Sequence, residues 1–116
     1  MTLDTKFKKQ LLVVVAAIIE KINQQPMDAK TTNEYAAEVF INRKKFQSAF
    51  RYLTGTGVQE YKNSQRMRIA CQLLREEDKP IKEIAIICGF KSQRAFTTAF
   101  KNAFGMTPLE YQNHKY

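Results

Sequence analysis

Few residues of this 116-residue chain are suited to metal or redox chemistry: it has one histidine and two cysteines. Cys71 and Cys88 each sit inside an apolar helical pattern and read as reduced core thiols. A disulfide framework or a zinc site needs more ligands than these. His114 reads as a surface residue on the last helix. The sequence also shows no paired acid and base, nucleophile–histidine set or glycine-rich phosphate loop, which argues against an enzyme and implies no cofactor and no metal. The longest apolar run, Leu11 to Ile19, holds nine residues, against the roughly 20 that span a bilayer. Nothing resembling a cleavage site follows it, so a signal peptide is not indicated. The basic residues do not line this most apolar helix, which argues against a membrane-surface role. A cytoplasmic protein without a membrane partner is the expectation.

Breaks are scarce too, with three prolines and four glycines. The apolar residues recur at helical spacing, so the expected fold class is all-α, about seven helices with short connections. A first helix is expected from Asp4 to Asn23, burying Phe7, Leu11, Val14, Val15, Ile18, Ile19 and Ile22, with Val13 and Ala17 partly off that face. Pro26 ends it. Thr31 with Glu34 reads as a capping box opening a short helix to Val39. Asn42 is the expected N-cap of the next helix, which stops before Gly55 at a left-handed C-cap. A long helix follows from Val58 to Glu76. Pro80 suits the first turn of a further short helix closed at Gly89. Ser92 caps the next, which ends at Gly105, and Thr107, Pro108 and Glu110 open a last short one.

The chain repeats itself. Shifted by 50 residues, NRKKFQSAFRYLTG (42–55) falls on SQRAFTTAFKNAFG (92–105), with Phe46 on Phe96, Ala49 on Ala99, Phe50 on Phe100 and Gly55 on Gly105. The match continues to Glu60 with Glu110 and Tyr61 with Tyr111. One residue earlier in phase, Glu34 and Ala36 fall on Glu83 and Ala85. Each copy is a short helix, a tight turn and a second helix, the helix-turn-helix pattern. Two copies with one Phe-x-x-Ala-Phe core are a far stronger signal than one.

What is abundant is positive charge, a net +8 with a pI near 9.6. It is concentrated on the second helix of each repeat. Residues 41–51 hold Arg43, Lys44, Lys45 and Arg51 with no acid, and residues 90–101 hold Lys91, Arg94 and Lys101 with no acid. The other 12 basic residues face 11 acids. At about 100° per residue, Phe46, Ala49, Phe50 and Leu53 share a core face, leaving Lys44, Gln47, Ser48 and Arg51 opposite. In the second copy Phe96, Ala99, Phe100 and Ala103 are the expected core, and Arg94, Thr97, Thr98 and Lys101 point outward. A basic helical face placed where a duplex is read points to DNA.

The stretch PIKEIAIICGFKSQRAFTTAFKNAFGMTPLEY resembles the signature of the AraC/XylS family of bacterial transcription regulators almost throughout. INRKKFQSAFRYLTG and RMRIACQLL resemble that family more loosely, and the likeness runs from about Val13 to Tyr111. It implies two homeodomain-like helix-turn-helix subdomains joined by a long linker helix, here residues 1–56, 57–78 and 79–116, with recognition helices at about 42–53 and 92–103. Both helices would meet one side of the DNA, often in successive major grooves. Carried over by position, base reading falls on Lys44, Gln47 and Ser48 in the first unit and on Gln93, Arg94, Thr97 and Thr98 in the second. Asn42, Arg43, Arg51, Arg66, Ser92 and Lys101 are the expected phosphate contacts.

Many family members have arginine where this chain has Ser48 and Thr98, so that arginine–base contact is not available here. The resemblance implies double-stranded DNA as partner, an activator more than a repressor, and RNA polymerase as a second partner. Most relatives also carry an upstream effector or dimerisation domain, and nothing in these residues forms one. A small stand-alone activator and the C-terminal piece of a longer regulator both fit, the long apolar first helix favouring the second. The competing reading is a protein-interaction module that uses the paired basic helical faces.

Overall fold

The computed structural model describes residues 2–76 and 78–114, with side chains from residue 8 onward, so Phe7 of the expected apolar stripe lies outside the described residues. Seven helices run through them in the order expected: α1 (Thr2–Gln24), α2 (Thr32–Glu38), α3 (Arg43–Thr54), α4 (Val58–Glu76), α5 (Ile81–Ile87), α6 (Gln93–Phe104) and α7 (Pro108–Asn113). Several boundaries have a chemical cause. Thr31 Oγ1 accepts from Glu34 N while Glu34 Oε1 accepts from Thr31 N, and Thr107 and Glu110 repeat the exchange before α7. Asn42 and Ser92 accept from the third backbone N–H of their helices, Lys45 and Ala95. Gly55 and Gly105 end α3 and α6 at φ 84° and 76°, a left-handed conformation that costs a residue without Cβ nothing. Pro80 stands one residue earlier than expected. Its ψ of 147° is extended, which makes it the cap of α5 rather than a residue of its first turn.

The chain divides into two compact units, Met1–Lys62 and Asn63–Tyr116. The linker helix expected as a separate segment is thus shared, its first residues belonging to one unit and the remainder to the other. In the first unit α3 packs on α1 and α2. Val15, Ile18, Ile22, Tyr35, Ala36, Phe46, Ala49, Phe50 and Val58 form its core, with Leu11, Val14, Ile19 and Tyr61 packed against it. Val13 and Ala17 are exposed, off the buried stripe as expected. In the second unit the buried side chains include Met67, Ala70, Leu74, Ile84, Ala85, Cys88, Phe96 and Phe100, and α6 packs on α5 and α7.

The repeat extends to details of packing. Tyr61 meets Phe50 edge-on at 5.6 Å, and Tyr111 meets Phe100 in the same way at 5.6 Å. Ile41 N donates to Ala36 O at 3.1 Å across one helix-turn-helix turn, and Phe90 N donates to Ala85 O at 3.0 Å across the other. A side chain that follows each recognition helix reaches back to the backbone ahead of the first helix of the motif. Lys62 Nζ donates to Asp28 O and Lys30 O at 2.5 and 2.9 Å, and Gln112 Nε2 donates to Lys79 O at 3.3 Å.

Two expected core positions differ. Leu53 is 39% exposed and Ala103 is exposed, while Ala99 is half-buried. Leu53 and Ala103 are equivalent residues in the last turn of their helices, just ahead of the glycine cap. The chain leaves the motif there, so the helical face continues past the elements that cover it.

The turns differ between the units at one point. Gly89 has φ 83°, and its counterpart Phe40 has φ 57° with a side chain 95% exposed. Left-handed backbone costs a residue with a Cβ about 1–2 kcal/mol, and Phe40 recovers none of it by burial. Phe40→Gly is expected to raise stability by about 0.5–1 kcal/mol, the added freedom of the unfolded chain offsetting part of the relief. A higher urea midpoint at unchanged m-value checks this.

Candidate nucleic-acid interface

The recognition helices present matched faces. On α3 the buried Phe46, Ala49 and Phe50 face inward, and Lys44, Gln47, Ser48 and Arg51 are exposed on the other side. On α6 Phe96 and Phe100 are buried. Gln93, Arg94, Thr98 and Lys101 are exposed, and Thr97 is half-buried. Positions three, four and seven apart align these residues in one stripe along each helix. Among the described residues, no internal hydrogen bond or ion pair engages the side chains of Lys44, Gln47, Ser48, Gln93, Arg94, Thr97 or Thr98, so their donors and acceptors stay available to a ligand. No acid lies in the first turn of either helix. The positive end of each helix dipole therefore adds to the basic side chains.

The residues expected at phosphates divide. Arg43 and Lys101 are exposed. Asn42 and Ser92 use their side-chain oxygens as caps, which fixes the helix N-termini where backbone N–H groups point outward. Arg51 lies beside the start of α4, where a Cβ added to Gly57 would meet its guanidinium at 3.5 Å. Arg66 is the exception. It is only 9% exposed and close enough to Cys88 to act on the thiol electrostatically. A guanidinium so enclosed does not reach a phosphate from the surface, so Arg66 leaves the set. The sequence pattern missed this because α4 carries apolar residues on more than one side and its inward face is ambiguous.

Burial pushes the Cys88 thiol up to about 11 and raises that of Cys71 as well. Both stay protonated at neutral pH, in keeping with packing rather than reactive roles. His114 is the exposed C-cap of α7. Among the described residues no helix is long and apolar enough to cross a membrane.

Comparison with known proteins agrees with this geometry. A model of the helix-turn-helix domain family matches residues 35–114. The chain is 29% identical over 120 residues to a probable transcriptional regulator, LumQ, of Photobacterium leiognathi, an alignment covering 96% of this chain and 48% of that protein. It is 32% identical over 98 residues to the transcriptional activator RclR of Escherichia coli, covering 84% of this chain and 34% of that protein. Among solved structures, the DNA-binding domain of AdpA, in complex with a target DNA, superposes with a TM-score of 0.80 at 27% identity, covering 85% of this chain and 89% of that one. The C-terminal domain of AraT from Geobacillus stearothermophilus gives 0.81 at 26% identity, covering 86% and 84%. The chain is an all-helical DNA-binding domain of a transcription regulator, with two helix-turn-helix motifs. It belongs to the AraC/XylS family. It spans half or less of the length of the curated relatives named above.

Proposed function

We propose that this chain is the sequence-reading part of a cytoplasmic transcription activator, its two recognition helices reading separate stretches of one DNA site about two helical turns long. The observation that carries the reading is the pair of matched stripes, each polar and basic and each backed by a phenylalanine core that fixes its orientation. Lys44 and Arg94 have the donors that guanine O6 and N7 accept, Gln47 and Gln93 suit adenine, and Thr97 and Thr98 offer a methyl to thymine and a hydroxyl. Ser48 can donate or accept. Arg43, Arg51, Lys101 and the helix N-termini at Asn42 and Ser92 hold phosphates and set register. RNA polymerase and an effector or dimerisation domain are the further partners of this reading, which rests there on the family and on the length of its relatives.

In vitro selection of duplexes with the purified chain tests it. The expected product is a bipartite site, bound in the nanomolar range with a steep salt dependence. Recovery of no site preferred over bulk DNA sinks the proposal. Arg94→Ala is expected to cost about 1–3 kcal/mol and to relax preference at one base pair. Arg51→Ala weakens all sequences alike and reduces the salt slope by about 1. An exchange of those two behaviours in titrations at several salt concentrations reverses the assignment of base reader and phosphate contact.

A further inference from the structure

The two helix-turn-helix turns differ by one residue. Ahead of the turn the units align with a shift of 49, which pairs Ala36 with Ala85 and Ile41 with Phe90. From the cap onward the shift is 50, which pairs Asn42 with Ser92. The backbone agrees on both sides. Ile41 and Phe90 donate to the equivalent carbonyls, and Asn42 and Ser92 cap equivalent N–H groups. Lys91 is therefore an added residue without a counterpart in the first unit. Ile41 packs against the core of its unit, and Phe90 keeps that role in the second, its ring 5.4 Å from that of Phe96. Lys91 is left exposed, and among the described residues no hydrogen bond or ion pair engages its side chain. Charge also changes sides at the cap. The first unit reads Ile41–Asn42–Arg43 and the second Lys91–Ser92–Gln93, so one cation follows the cap of α3 and one precedes the cap of α6.

We propose that Lys91 is a phosphate contact of the second recognition helix, in the part that Arg43 takes in the first, and that this leaves position 93 to Gln93 as a base reader. The proposal rests on the DNA-reading role above and adds to it a residue and a cause for the difference between the units. The start of a recognition helix enters the major groove, so residues on either side of its cap lie near the rim where phosphates run. Lysine meets a phosphate as a point charge on a flexible stem, with no fixed fork to align, which suits a residue on a turn. Residues 90–101 hold no acid, so no carboxylate of this segment neutralises it. Arg43 and Gln93 occupy the same helical position, the first after the cap. Glutamine there brings no charge to a phosphate, but its amide has the paired donor and acceptor that adenine matches. The added lysine thus keeps a cation at the start of α6 while the position behind the cap turns from register to readout.

The test titrates the full chain at several salt concentrations against two duplexes, the site selected by the parent chain and a mixed-sequence duplex of equal length. Lys91→Ala is expected to bind both about five- to tenfold more weakly near 0.1 M salt and to reduce the salt slope by about 1. Its melting and its selected base preferences stay those of the parent, and Lys91→Arg keeps affinity and slope. Lys91→Ala combined with Gln93→Arg is expected to regain the slope on both duplexes and to lose preference at one base pair when selection is repeated. A Lys91→Ala slope equal to the parent's overturns the proposal. An equal loss of slope in Lys9→Ala, on α1, overturns it too, by assigning the effect to net charge. A base preference altered by Lys91→Ala makes Lys91 a reader, and one unaltered in the combined variant removes Gln93 from readout; either result sinks the division of roles. If selection recovers no site while Lys91→Ala still lowers the slope on the mixed-sequence duplex, the DNA-reading proposal fails and the phosphate contact stands.

Discussion

Phe46→Ala is expected to destabilise the first unit by about 3–5 kcal/mol, and Phe100→Ala to do the same to the second. Both rings are fully buried. Phe46 lies in one core with Phe50, Val15, Ile18 and Ile22, its ring 5.9 Å from that of Phe50. Phe100 stands 5.8 Å from Phe96, 4.6 Å from Phe104 and 5.6 Å from Tyr111. Removing either ring loses its transfer free energy and leaves a cavity that helices fixed at both ends by caps and glycines can close only in part. Small domains have about 5–15 kcal/mol of stability in all, so each substitution removes much of it. The readout separates folding from binding. DNA affinity should fall in proportion to the unfolded fraction in a urea or thermal melt, with the salt slope of the remaining folded protein unchanged. A variant that melts like the parent chain yet binds DNA poorly would place these phenylalanines at the interface and not in the core. Leu53→Ala is the control. Its side chain has the same spacing but is 39% exposed, so its cost should stay below about 1 kcal/mol.

The contrast between Phe46 and Leu53 shows where the sequence was readable. Helix ends were legible because a cap is a local event: Thr31 with Glu34, Asn42, Ser92 and Thr107 with Glu110 act within four residues, and Gly55 and Gly105 act alone. The interior of each recognition helix was legible because the repeat states the Phe-x-x-Ala-Phe face twice. Periodicity alone gives an angle and not the extent of cover, so Leu53 and Ala103 were placed in a core that stops one turn earlier. Arg66 illustrates the same gap on α4. A long helix shared by two compact units has two inward faces, and a single 100° projection cannot say which residues each encloses.

The turn of the first unit carries a signal in the repeat: six residues beyond Glu34 and Glu83, the same phase pairs Phe40 with Gly89, an aromatic residue in a glycine's conformation. The exposed stripes were legible as surfaces, and the outward positions of Lys44, Gln47, Arg94 and Thr98 agree with the structure. Which bases they select depends on side-chain reach in a complex, and a helical projection contains no such information. The resemblance implies an arginine where this chain has Ser48 and Thr98. Under the proposed DNA-reading role, Lys44 and Arg94 near the start of each helix then carry more of the base choice.

Lys62→Met is expected to cost about 2–3 kcal/mol, although it removes a charge from a core and nearly preserves volume. Lys62 is 1% exposed. Its ammonium donates to the Asp28 and Lys30 carbonyls at 2.5 and 2.9 Å and stands 5.0 Å from the centre of the Tyr35 ring. Hydrogen bonds to a charged group contribute about 1.5–3 kcal/mol each, and a cation over a desolvated ring adds about 2. The desolvation of the ammonium offsets part of this, so the net is smaller than the sum. Methionine fills the space but leaves both carbonyls without that donor, at the point where the chain enters α2. The repeat supplies a sharper test. Gln112 occupies the corresponding place in the second unit and donates to Lys79 O at 3.3 Å, so an amide suffices there for one bond. Lys62→Gln should therefore recover about half of what Lys62→Met loses, and Gln112→Met should cost less than Lys62→Met, about 1 kcal/mol. Urea midpoints of the three variants decide the matter. If Lys62→Met melts with the parent chain, the buried ammonium contributes nothing net. If Lys62→Gln is no better than Lys62→Met, the stabilisation comes from the charge over Tyr35 and not from the bonds that tie α4 to the segment before α2.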